Sequence, residues 1–115
     1  MATKLQLITE LSKRTFNAIV KSPDNWTSFL KTAAWNYKYP FQDQLLIYAQ
    51  RPDATACAPI ELWNERFGRW VNRGAKGIAL IDDSGSRLSL RHVFDVSDTN
   101  SRYNRPVVLW NLQDR

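Results

Sequence analysis

A chain of 115 residues, 43% hydrophobic and 23% charged, is long enough to bury one core, too short for two, and too apolar to be a disordered tail. Its 16 Lys and Arg against 11 Asp and Glu leave a net charge of +5, which favours an anionic partner, nucleic acid first. A single cysteine, Cys57, excludes an internal disulfide, and with His92 as the single histidine a zinc site has no ligand spacing to build on. No apolar run approaches the ~18 residues of a membrane helix. Charges at Lys4, Glu10, Lys13 and Arg14 leave no uncharged stretch for a signal peptide. The expectation is one cytoplasmic domain over residues 1–115, with a core of about 22–96, a peripheral helix before it and a loop after it.

The first element is a polar helix over Thr3–Val20 with a narrow stripe at Ile8, Leu11, Thr15 and Ala18. Ser22-Pro23-Asp24 then supplies a capping hydroxyl, a proline suited to the first turn and an acid at the positive end of the dipole. In the helix that follows, Trp26, Phe29, Leu30, Ala33, Ala34 and Tyr37 draw a broad apolar face, which is expected to be buried. Pro40 breaks that helix, a shorter one runs Gln42–Gln50, and Pro52 ends it by restricting Arg51. A small-residue link, Ala54–Ala58, leads to a helix from about Pro59 to Phe67, closed by Gly68.

Beyond Gly68 the pattern changes to strands. Trp70-Val71, Ile78–Ile81 and Leu88–Val96 are separated by Asn72–Gly77 and Asp82–Ser86, both of turn composition, which predicts a three-stranded meander. Pro106–Trp110 is a candidate further strand, after a loop with Arg102, Tyr103 and Arg105. Helices first and strands afterwards indicate an α+β fold, with the N-terminal helices packed on a small antiparallel sheet. No repeat or low-complexity tract is present.

Parts for catalysis are scarce. His92 lies in the alternation of a strand, where a packed or hydrogen-bonded imidazole is favoured over a general base. Cys57 has no basic neighbour to lower its pKa and reads as a small buried residue. The phosphate-loop pattern GxxxxGK[ST] is absent, and the GxxG at Gly74–Gly77 is flanked by strands where a KH domain has helices. Asp82-Asp83, and Glu61 with Glu65, fit turn chemistry and an exposed helix face. No enzyme class is supported and no cofactor is expected; a metal-dependent nuclease using Asp82 or Asp83 is the weakest reading.

Single-stranded nucleic acid fits better, because its binders combine a basic groove with aromatic side chains on which bases stack. Tyr37, Tyr39, Tyr48, Trp70 and Tyr103 all have basic neighbours in sequence, whereas the spacing of Trp26, Phe29, Trp63 and Phe94 assigns them to the core.

Three runs then carry a family resemblance: YPFQDQLLIYAQRP (Tyr39–Pro52), WNERFGRWVNRGAKGIA (Trp63–Ala79) and VFDV (Val93–Val96). Together they resemble the N-terminal domain of ArdC-like antirestriction proteins, in the branch that heads large conjugative-transposon and plasmid proteins of Gram-positive bacteria. The resemblance covers about two thirds of the chain. It implies a non-enzymatic domain that binds single-stranded DNA in conjugative transfer or antirestriction, as the front piece of a longer protein. The metal motif of the family's following domain is not in this chain. Where many members have Asn before the Gln-Leu-Leu run, this chain has Asp43, which repels phosphate when ionised and otherwise caps the helix.

On that reading Arg51, held extended by Pro52, projects toward phosphate, and Gln44 and Gln50 reach bases or sugars. Arg69, Arg73 and Lys76 form a phosphate rail, with Gly74 and Gly77 allowing close backbone approach. Tyr39 and Trp70 are the stacking residues, Tyr39 preferred because a loop residue before proline is seldom core. The alternative is a protein-interaction module that docks transfer or helicase partners through its aromatic surface.

Overall fold

A computed structural model of the chain describes residues 2–101. Helix α1 spans Lys4–Val20 and starts at a capping box: the Thr3 hydroxyl accepts from the Gln6 N–H, and the Gln6 side chain accepts from the Thr3 N–H. Expected at the periphery, it supplies the buried Ile19 and packs Ile8 and Leu11 against the core. Ala18, expected on its buried stripe, is exposed.

Helix α2 (Pro23–Trp35) begins as its sequence dictates, with Ser22 capping Asn25 and Pro23 in the first turn. Its expected apolar face is a correction. Phe29 is buried, but Trp26 is 39% exposed, Leu30 is 47% exposed, and Ala34 and Tyr37 are also open to solvent. The buried line runs instead through Phe29, Thr32 and Asn36, because the Thr32 hydroxyl donates to the Pro52 carbonyl and Asn36 Nδ2 donates to the Ala54 carbonyl at 3.0 Å. Polar contacts with the chain after α3 (Phe41–Gln50) thus set how α2 is rolled.

The remaining elements follow in order: β1 (Cys57–Ala58), α4 (Ile60–Arg66), β2 (Arg69–Val71), β3 (Ile78–Asp82), β4 (Ser89–Asp95), a 3₁₀ turn at Val96–Asp98 and β5 (Thr99–Ser101). Gly68, at φ +60, makes the left-handed exit from α4 that a side chain would strain. The fold is α+β, but the strands are not the simple meander expected. β1, β4 and β3 form one antiparallel sheet in that order, while β2 leaves it and pairs with β5. The reason lies on the free edge of β3. Gln50 Nε2 donates to the Ala79 carbonyl at 2.9 Å and Gln50 Oε1 accepts from the Ala79 N–H at 2.9 Å, so a helix side chain closes the edge that a third strand would have used. The small-residue link, expected to be irregular, contributes β1, whose Cys57 and Ala58 oppose Asp95 and Phe94.

Two apolar layers hold the sheet. Ile78, Leu80 and Val93 meet Leu46 and Ile47 of α3, while on the other face Phe94 and Ala58 meet Trp63 of α4, Phe67 and Val71. Trp63 is fully buried and its indole Nε1 donates to the Phe94 carbonyl at 2.9 Å; each such side chain contributes roughly 1.5–3 kcal/mol. Among the described residues, no helix is long and apolar enough to cross a membrane. The expected strand at Pro106–Trp110 and the loop with Arg102, Tyr103 and Arg105 lie outside the described residues.

Candidate nucleic-acid interface

The expected contact residues divide by what already holds them. Tyr39 is not free for stacking: its hydroxyl donates to the Cys57 carbonyl at 2.7 Å, its ring packs on the core, and burial pushes its pKa well above the ordinary value. Pro40 does keep it out of a helix, but the loop turns inward. Burial likewise pushes the Cys57 thiol up, as expected for an inert buried cysteine.

Gln44 and Gln50 are structural as well. Gln44 Nε2 donates to the Asn36 carbonyl at 3.2 Å, which helps close the end of α2, and Gln50 caps β3 as described. Arg51 is tied on several sides. It forms an ion pair with Asp98, donates to Ser97 Oγ at 2.7 Å and reaches Asp53 at 3.1 Å, and the bond to Asp98 raises its pKa further. Arg69 lies along β5, with Nε donating to Thr99 Oγ1 at 2.7 Å and Nη2 to the Thr99 carbonyl at 2.9 Å. A guanidinium whose donors are spent on internal acceptors gives up those bonds before it binds phosphate.

Asp43 neither caps α3 nor faces outward. It is buried and accepts from Arg91 Nη2 at 2.8 Å, joining α3 to β4. Burial pushes its carboxyl up and Arg91 pulls it back down.

Trp70, Arg73 and Lys76 remain open to solvent. Alternation along β2 turns Arg69 and Val71 inward and Trp70 outward, leaving Trp70 49% exposed. The segment that follows is anchored at both ends. The Asn72 N–H donates to the Asp98 carbonyl at 2.8 Å, and the Asn72 carbonyl accepts from the Ala75 N–H at 3.0 Å. Gly74, at φ +82, takes the turn position that favours glycine. At the far end a Cβ on Gly77 would stand 3.1 Å from His92 Cβ and 3.2 Å from the Phe94 ring, so the close approach this glycine allows is to β4. Among the described residues, neither Arg73 nor Lys76 has a hydrogen-bond or ion-pair partner. The result is an anchored backbone that presents two exposed cations and an indole.

The other candidate chemistry is local. Asp82 accepts from the Ser84 N–H at 2.9 Å and from its hydroxyl at 2.6 Å, which lowers its carboxyl below the usual range. Among the described residues, no three His, Cys, Asp or Glu gather as a metal cluster. His92 is exposed on β4 opposite Ala79.

No protein family, curated protein or solved structure matches this chain.

Residues that sequence reasoning missed lie on the helical side, where open clefts cross the surface. Ser28, Lys31, Thr32 and Trp35 recur at i, i+3, i+4 and i+7 on one face of α2 and line a cleft of about 390 Å³ against Tyr48 and Pro52. Leu11, Arg14, Thr15 and Ala18 repeat the same spacing on α1 and line a second, of about 450 Å³, against the same Tyr48 and Pro52. On α1 the stripe Leu11, Thr15 and Ala18 is legible in the sequence, but as a packing face and not as a cleft wall; the α2 face carries too few apolar residues to stand out.

Proposed function

We propose that the chain is a sequence-tolerant single-stranded-DNA-binding module of a mobile-element protein, serving conjugative transfer or antirestriction. The observation that carries it is the anchored β2–β3 turn, where Arg73 and Lys76, without partners among the described residues, stand within six residues of a half-exposed Trp70. A cation free of internal partners can neutralise phosphate, and an indole on a strand offers any base a stacking face, which gives affinity with little sequence preference. Net charge of +5 adds long-range attraction. The mobile-element context comes from the family resemblance. A protein-docking role is the second reading, favoured by the exposed Phe16, Trp26, Leu30 and Phe41 on the helices.

Titration of a labelled oligothymidylate at a series of salt concentrations tests the proposal. Log K is expected to fall linearly with log salt, with a slope of at least about −1.4 from Arg73 and Lys76 at ~0.7 per phosphate. No binding at low salt overturns the reading and leaves protein docking.

A further inference from the structure

The two helical clefts meet. Both are lined by Tyr48 and Pro52, so they form one groove that passes over the C-terminal end of α3. On one side stand Lys31 and Trp35, with Trp35 38% exposed; on the other stand Arg14 and Asn25. The ring of Tyr48 is held edge-on to Phe29 at 5.7 Å, and among the described residues its hydroxyl has no hydrogen-bond partner. Asp53 is the carboxylate in the lining, and it shares the Arg51 guanidinium with Asp98, at 3.1 Å from Nε. Each cleft lies within the ~300–1,000 Å³ usual for sites that take a small organic group.

The groove is also mechanically joined to the β2–β3 turn. Pro52 and Asp53 follow Arg51 directly, Arg51 pairs with the side chain of Asp98, and the Asp98 carbonyl holds the N–H of Asn72, where the turn begins. The turn and the groove are thus tied to one another through Arg51 and Asp98.

Resting on the single-stranded-DNA reading above, we propose that this groove is a second nucleotide subsite for the same strand. A base stacks on the Trp35 indole, the Tyr48 hydroxyl hydrogen-bonds a base edge or sugar at the join, and Lys31 and Arg14 neutralise the flanking phosphates. Aromatic and cationic groups placed together suit a flexible polyanion with flat bases, while the polar lining from Ser28, Asn25 and Thr55 suits an apolar peptide helix poorly.

The test compares oligothymidylate binding by the full chain with that of Arg14→Ala/Lys31→Ala, Trp35→Ala and Trp35→Phe, with unfolding midpoints measured in parallel. With turn and groove both engaged, the salt slope is expected near −2.8, falling to about −1.4 in the charge double variant. Trp35→Ala should weaken binding about 5- to 150-fold, the range for losing one stacked base, and Trp35→Phe should restore most of it. If Trp35→Ala loses its cooperative unfolding, the charge variants at exposed helix positions decide alone. Binding with a wild-type slope near −1.4 that no groove substitution alters removes the subsite and leaves the turn as the interface. No binding by the wild type removes both.

Discussion

Arg51 after α3 and Arg73 in the β2–β3 turn are both cations on connecting segments, and the fold uses them oppositely. Arg51 meets Asp98, Ser97 and Asp53, and through them it fastens the helical half of the molecule to the 3₁₀ turn before β5. Arg73 has no such partner among the described residues, although backbone bonds of Asn72 and Ala75 hold the chain on either side of it. The difference shows that a positive residue near a turn is informative about ligands only once its internal acceptors are known. The acceptors here are remote: Asp98 lies 47 residues from Arg51, and Thr99 lies 30 residues from Arg69.

Substitutions within the tied set should damage the fold, with the largest effect at the Asp43–Arg91 pair. Arg91→Leu leaves a buried carboxylate without its partner and should cost about 2–4 kcal/mol in denaturant unfolding, the lower part of the range for a broken buried pair because Arg91 is itself partly solvated. The pair also makes a pH prediction. Burial raises the folded-state pKa of Asp43, so its protonated form is favoured in the folded chain. Its contribution to stability is therefore greatest below the ordinary carboxylate value of 3.8 and is lost as pH rises through the folded value. The stability of the wild type relative to Asp43→Asn should decline as pH rises from below the ordinary carboxylate value through the raised folded value; a flat difference would show that the carboxylate is fully compensated by Arg91.

Next in size is Gln50→Ala, which strips both the donor and the acceptor from Ala79 on the edge of β3. A loss of about 1–3 kcal/mol is expected, with the salt slope of DNA binding unchanged. A changed slope without a stability loss would return Gln50 to the interface. Smallest are Arg73→Ala and Lys76→Ala, each expected to shift stability by less than about 0.5 kcal/mol. A larger loss at either would mean that the turn cations are tied after all.

The sequence disclosed the parts of the fold that local chemistry determines. Ser22-Pro23-Asp24 started α2, Gly68 closed α4, and the order of elements indicated α+β. What escaped it depended on distant partners. Two buried polar groups of α2 and its cap, Thr32 and Asn36, are bonded to the chain after α3, and Trp26 and Leu30 are rolled outward. β2 was expected beside β3 because nothing in either strand reveals that a glutamine 29 residues earlier closes that edge. At the candidate interface Trp70, Arg73 and Lys76 are exposed, whereas Tyr39, Gln44, Gln50, Arg51 and Arg69 are engaged in internal contacts. Polar residues able to bind a ligand are equally able to bind the backbone, and residue type alone does not separate these uses.

The most direct test of the distinction between tied and free cations sets the double variant Arg73→Ala/Lys76→Ala against Arg51→Gln, measuring the salt dependence of oligothymidylate affinity below both unfolding midpoints. The slope should become less negative by about 1.4 in the turn variant and stay at the wild-type value in Arg51→Gln. An unchanged slope in the turn variant together with a shallower one in Arg51→Gln would contradict the account.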